Sequence, residues 1–163
     1  MGYKLLVLAP SAGGKSTLTR HLREHSDLNI AETDEEVVKA NNGEWPSSGK
    51  DKELVRQTAI EVLSRNNTVY MMKDMPRDLL LLARKLGFKV VVLNLTHTQL
   101  LERNKKRMAE EGYDDASEWF AGQLKELNSH VVDNLVDEHI DGNLPTAEIA
   151  AKIVELSTDM VGA

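Results

Sequence analysis

Residues Ala9-Pro10-Ser11-Ala12-Gly13-Gly14-Lys15-Ser16-Thr17 have types and an order that suit the gripping of a polyphosphate. Gly13 and Gly14 let successive backbone N–H groups face phosphate oxygens with no Cβ in the way. A helix opening at this point adds unpaired N–H donors and a partial positive charge. Lys15 can reach the outer phosphates as a point charge, and the Ser16 hydroxyl can ligate Mg²⁺. Ser11, Ala12, Gly13, Gly14, Lys15, Ser16 and Thr17 therefore form the expected nucleotide-binding loop, with a nucleoside triphosphate and Mg²⁺ as its ligands. The segment matches G-x-x-x-x-G-K-[ST] except at its first position, where Ala9 replaces glycine. A methyl group fits there if the backbone stays in the β region.

Other chemistry-bearing residues are spread along the chain. Asp34 follows a short apolar run, and Thr33-x-x-Glu36 around it also reads as a capping box, which places Asp34 in the first turn of a helix. Asp74 follows the apolar run Val69–Met72. From there a carboxylate can hold Mg²⁺ through water, bind an acceptor, or cap the helix that begins near Pro76, and the sequence leaves all three open. Arg103 and Arg107 lie four apart on a helix that opens near Thr96, where Glu102–Lys106 and Arg107–Glu111 also have the spacing of surface ion pairs. His21-Leu22-Arg23-Glu24-His25 matches the H-x-x-E-H zinc pattern. It falls on the helix that the phosphate loop would open and lacks an evident acidic third ligand, so a structural role is expected for it. Trp45, in the polar stretch Asn41–Lys50, either stacks on a base or anchors its loop to the core.

These residues need a scaffold, and the chain alternates as a parallel α/β sheet does. Apolar runs at Leu5–Leu8, around Leu28–Ile30, at Val69–Met72, at Val90–Leu95 and around Leu135–Ile140 predict five strands. The first and fourth are continuous, as in strands covered on both faces. Helical spacing appears over Asp51–Ser64, from Pro76 to a stop at Gly87, in the stripe Trp119, Phe120, Leu124, Leu127, Val131, and in Ile149, Ile153, Leu156, Met160. The alternation predicts a sheet sandwiched between helices. The chain has 163 residues, the length of one domain. Its formal net charge of −6 argues against broad binding to duplex nucleic acid, though not against a local basic groove, for which Lys50, Lys52, Arg56 and Arg103 to Arg107 are the candidates. The lack of cysteine excludes disulfides, thiolate metal sites and cysteine nucleophiles, and suits a reducing compartment. No apolar run reaches the ~20 residues of a membrane span, and the short run before the phosphate loop is no signal peptide.

The loop, Glu32-Thr33-Asp34, Met72-Lys73-Asp74-Met75-Pro76 and Gln99-Leu100-Leu101-Glu102-Arg103-Asn104-Lys105-Lys106-Arg107 together resemble the small P-loop kinases, above all the kinase domain of phage-type polynucleotide kinases. The resemblance implies one P-loop kinase domain over residues 1–163 with a helical lid over about 103–117. It implies ATP as donor, Asp34 as general base, Arg103 and Arg107 as lid arginines that contact the triphosphate, and a cytoplasmic setting (the host's, for a phage enzyme). The turn Asp141-Gly142-Asn143-Leu144-Pro145 would line the adenine pocket by analogy. Polynucleotide 5′-kinases carry an arginine shortly after the base, whereas Asp34-Glu35-Glu36-Val37-Val38-Lys39 has none. A phage kinase family that phosphorylates 5-hydroxymethyluracil within DNA looks similar in size, loop and aspartate. That likeness implies a nucleic-acid partner whose target base leaves the stack. A polynucleotide 5′-hydroxyl kinase, a nucleotide or nucleoside kinase, and a non-kinase NTPase switch are the alternatives left standing.

Overall fold

A computed structural model of the chain describes residues 2–47, 49–73 and 75–162. Asp74 therefore lies outside the described residues. Five parallel strands, β1 (Lys4–Leu8), β2 (Ile30–Glu32), β3 (Thr68–Met72), β4 (Lys89–Asn94) and β5 (Glu138–Asp141), form one sheet in the order β2-β3-β1-β4-β5. The helices are α1 (Lys15–His25), α2 (Thr33–Ala40), α3 (Asp51–Leu63), α4 (Arg77–Lys85), α5 (His97–Glu111), α6 (Phe120–Val132) and α7 (Thr146–Gly162), with a 3₁₀ turn at Ser117–Trp119.

The continuous apolar runs have a simple cause, since alternate side chains of a strand point to opposite faces and both faces here are covered. Leu6, Leu8, Tyr70, Val90 and Val92 pack with residues of α3, α4 and α6. Leu5, Val7, Val69, Val91 and Leu93 face the other way, onto α1 and α7. A smaller cluster of Ala12, Leu95, Leu100 and Phe120 ties the loop after β1 to α5 and α6. From the central β1 the chain passes to β2 and β3 on one side and then to β4 and β5 on the other, so the carboxyl ends of the central strands open into a crevice at this switch of direction, where α/β sheets hold their ligands. Among the described residues no helix is long and apolar enough to cross a membrane.

Several local expectations need correction. The capping box at Thr33 and Glu36 does not form: Glu32 is the N-cap, the Thr33 hydroxyl donates to the Met71 carbonyl at 3.2 Å, and Glu36 is taken by Arg65 in two 3.0 Å hydrogen bonds. The final strand starts later than its apolar run suggested. Arg84 holds the Leu135 carbonyl at 3.0 Å, and the Asp137 carboxylate accepts from Val90 N–H at 2.7 Å, so sheet pairing begins only beyond them. Trp119 falls in the 3₁₀ turn and is 59% exposed, off the core stripe that Phe120 and Leu127 do form. Thr96, by contrast, opens α5 with a complete capping box to Gln99.

Candidate active site

The phosphate loop is built where β1 ends. Leu8 pairs with Met72, and one more backbone bond, Ala9 N–H to the Met72 carbonyl at 3.1 Å, carries the strand to the loop's first residue. The chain then reverses through Gly13 N–H to the Pro10 carbonyl at 2.9 Å. A Cβ on Gly13 would stand 2.7 Å from that carbonyl oxygen, so only glycine allows the turn. Ala12 and Gly14 take left-handed backbone with φ of 63° and 90°, while Ala9 does not, which is why its methyl group is tolerated. α1 begins at Lys15 with no side-chain cap, leaving its first N–H groups available to an anion.

The Lys15 ammonium donates to the carbonyls of Ala9 and Pro10, both at 2.8 Å. A third N–H is left for a phosphate oxygen. Burial, and next the charge of Lys73, push its pKa down to about 7, with Glu32 and Asp34 opposing. Burial raises the pKa of Glu32, helped by the carboxylates of Glu35 and Asp34.

Two cavities meet here. The first, of about 330 Å³, is lined by the loop from Ser11 to Thr17, by Glu32, Asp34 and Lys73, and by Arg103 and Arg107 of α5. Arg103 lies over the loop, its guanidinium 3.2 Å from where a Gly14 Cβ would be, and donates to the Gly142 carbonyl at 2.7 Å. Arg107 is stacked on the Tyr113 ring at 4.2 Å. Neither Glu102–Lys106 nor Arg107–Glu111 forms an ion pair among the described residues, and Arg103, Lys106, Arg107 and Glu111 all line the cavity. The second cavity, of about 510 Å³, has an apolar floor of Val55, Met71, Met72, Pro76 and Leu79, with Trp45, Lys52 and Arg56 on its walls. Arg56 is paired with Asp78. Trp45 is 49% exposed while its neighbour Pro46 is buried, so the proline anchors the loop and the indole stands in the cavity. Lys15, Glu32, Asp34 and Lys73 line both cavities and mark their junction.

Of the residues expected at the site, the loop, Lys15, Asp34, Arg103 and Arg107 thus line the first cavity, Trp45, Lys52 and Arg56 line the second, and Lys50 lines neither. Four residues that line the cavity or hold its loop had no role in the sequence reading. Lys73 had a signal, a charge breaking an apolar run at a strand's end, and Glu32 had its place beside Asp34. Tyr113 and Gln123 had none. Gln123 of α6 accepts from Ser11 N–H at 2.8 Å and donates to the Ser11 hydroxyl at 3.0 Å. The H-x-x-E-H histidines stack face to face, ring centroids 4.2 Å apart, and His25 Nδ1 lies 3.0 Å from the His21 carbonyl. Among the described residues there is no group of three or more His, Asp or Glu side chains placed to hold a metal.

The sequence matches no protein-family model and none of the curated proteins. Its fold does have solved counterparts. Shikimate kinase from Bacteroides thetaiotaomicron superimposes with a TM-score of 0.72 at 14% identity, over 96% of this chain and 98% of that one. A gluconokinase from Sinorhizobium meliloti 1021 gives 0.65 at 21% identity, over 98% and 96%. A chain of the Pnkp1/Rnl/Hen1 RNA repair complex gives 0.61 at 17% identity, over 81% of this chain and 46% of that one. The chain therefore has the single-domain α/β fold of P-loop kinases, a five-stranded parallel sheet between helices.

Proposed function

We propose that this chain is an ATP-dependent phosphotransferase with an alcohol as acceptor. The supporting observation is the junction of two cavities of different character at Lys15, Glu32 and Asp34. The first, ringed by backbone amides and cations, suits a triphosphate. The second, apolar and walled by an indole, suits the body of an acceptor whose hydroxyl reaches the junction. Such a kinase needs little covalent chemistry of its own, because positioning and charge stabilisation carry phosphoryl transfer.

In this reading the loop amides and Lys15 hold the outer phosphates. The exposed Asp34, at the first turn of α2, orients the acceptor hydroxyl and takes its proton. The Ser16 hydroxyl and the Glu32 carboxylate line the same cavity, oxygen donors that suit Mg²⁺. The metal, when bound, would neutralise charge on the phosphate oxygens. Arg103 and Arg107 supply further positive charge from α5, and the segment 103–117 is read as a lid that excludes water from the cavity. Arg103 also joins α5 to the Asp141–Pro145 turn through Gly142, which supports that turn as the seat of the adenine.

For the acceptor, the indole of Trp45 over an apolar floor favours a planar base, with Lys52 beside it for a backbone phosphate. The reading supported best is the hydroxymethyl group of 5-hydroxymethyluracil in DNA. A 5′-terminal hydroxyl fits less well, since the run Asp34–Lys39 of α2 carries no arginine for a terminal phosphate and its Glu35 and Glu36 are tied to Arg23 and Arg65. A free nucleotide, nucleoside or other small alcohol is the second reading, favoured by the net charge of −6 and by the small-molecule kinases that share the fold along the full chain.

The test is transfer from γ-labelled ATP to a panel of DNA with free 5′-hydroxyl ends, DNA containing hydroxymethylated pyrimidines, and the matching free nucleotides. Labelling of hydroxymethylated DNA above the others is expected. Faster labelling of free nucleotides moves the assignment to the second reading, and hydrolysis with no acceptor labelled removes the kinase.

A further inference from the structure

Lys73 is the first residue beyond β3, the strand that lies between β1, which carries the phosphate loop, and β2, which leads to Glu32 and Asp34. The register fixes its place. Leu8 pairs with Met72 on one side and Glu32 with Met71 on the other, so Lys73 leaves the sheet between the phosphate loop and the carboxylates. Among the described residues its ammonium has no hydrogen-bond or ion-pair partner, and it lines both cavities. It stands near enough to Lys15 for its charge to be felt there. Two ammonium groups facing one space repel, and a polyanion entering between them relieves that repulsion.

We propose that Lys73 is a catalytic residue, its ammonium contacting the transferred phosphoryl group from the acceptor side while Lys15 holds it from the donor side. This rests on the kinase reading above. As the acceptor oxygen bonds to the γ-phosphorus, the bond from phosphorus to the bridging oxygen breaks and its electron pair leaves with ADP. The acceptor's proton passes to the Asp34 carboxylate, and Lys73 keeps its own proton throughout. Its part is to face the equatorial oxygens while they are shared between donor and acceptor, a position in which charge stabilisation raises turnover more than affinity.

The experiment is single-turnover release of the γ-phosphoryl group from labelled Mg·ATP, to the best acceptor of the panel or to water, by wild type, Lys73→Ala and Lys73→Arg. Calorimetric titration with a non-hydrolysable Mg·ATP analogue accompanies it. Lys73 is exposed, so both variants are expected to fold, and thermal unfolding checks this. Lys73→Ala should slow release on the order of 10²–10³-fold with analogue affinity nearly unchanged, and Lys73→Arg should recover part of the rate. An unchanged rate in Lys73→Ala, or a loss confined to the acceptor's KM, overturns the proposal and leaves the kinase standing. Wild-type protein that neither binds the analogue nor cleaves ATP overturns both.

Discussion

The side-chain amide of Gln123 grips Ser11 at two points, accepting from its backbone N–H at 2.8 Å and donating to its hydroxyl at 3.0 Å. A residue of α6 thereby fixes the loop just ahead of the left-handed Ala12. Gln123→Leu leaves the part-buried Ser11 N–H without its acceptor, a loss of about 1–3 kcal/mol. Part of that loss falls on the loop's bound conformation, so Mg·ATP affinity measured by calorimetry should drop several-fold while the fold is kept. Unchanged affinity would show that the loop holds its shape without α6.

Asp34 has one task in the proposed transfer and none in the capping box expected of Thr33 and Glu36, which the structure does not form. Asp34→Asn should lower turnover by about 10²–10⁴-fold and spare nucleotide binding. Its thermal unfolding should match wild type, since the residue is exposed. Wild-type turnover in this variant would remove the general base from the mechanism.

Trp45 is half exposed and lines the second cavity. Stacking on an aromatic ring contributes about 1–3 kcal/mol per base. Trp45→Ala should therefore raise the KM of a base-bearing acceptor by about 5- to 100-fold and leave Mg·ATP affinity alone. An acceptor KM that does not move would point to an acceptor without a ring.

Glu36 is buried on α2 and bound by the Arg65 guanidinium, whose hydrogen bonds hold its carboxyl below the usual carboxylate range. A depressed folded pKa means that the stabilisation is fully present above the unfolded value of about 4.3 and is lost as pH falls through the lower, folded value. Glu36→Gln should cost about 1–2 kcal/mol in urea unfolding at pH 7, a modest figure because Arg65 is 37% exposed. The gap between variant and wild type should shrink as pH falls below about 4.3 and close once pH is below the folded pKa. A gap equally wide at pH 3 and pH 7 would assign the loss to packing rather than to the ion pair.

Much of the scaffold was legible because its rules are local. The continuous runs Leu5–Leu8 and Val90–Leu95 announced strands buried on both faces, and Thr96 announced the start of α5. Where local rules competed, the outcome was less legible. Thr33 and Glu36 satisfy a capping pattern, but Met71 and Arg65, distant in sequence, offered each a better partner. Trp119 keeps helical phase with its neighbours, yet the turn that α5 and α6 require left it in solvent.

The sequence by itself determined the phosphate loop, because backbone amides can face an anion only where glycine removes the Cβ and a helix begins at once. It also determined the parallel sheet, while Asp34, Arg103 and Arg107 were named as companions of that loop only through the resemblance their motifs carry. Only the tertiary structure decided that Lys73 stands between the loop and the carboxylates, that Trp45 faces a cavity, and that Gln123 holds Ser11. Those relations depend on strand order and register, which bring together residues as much as 112 positions apart and leave no periodic trace along the chain.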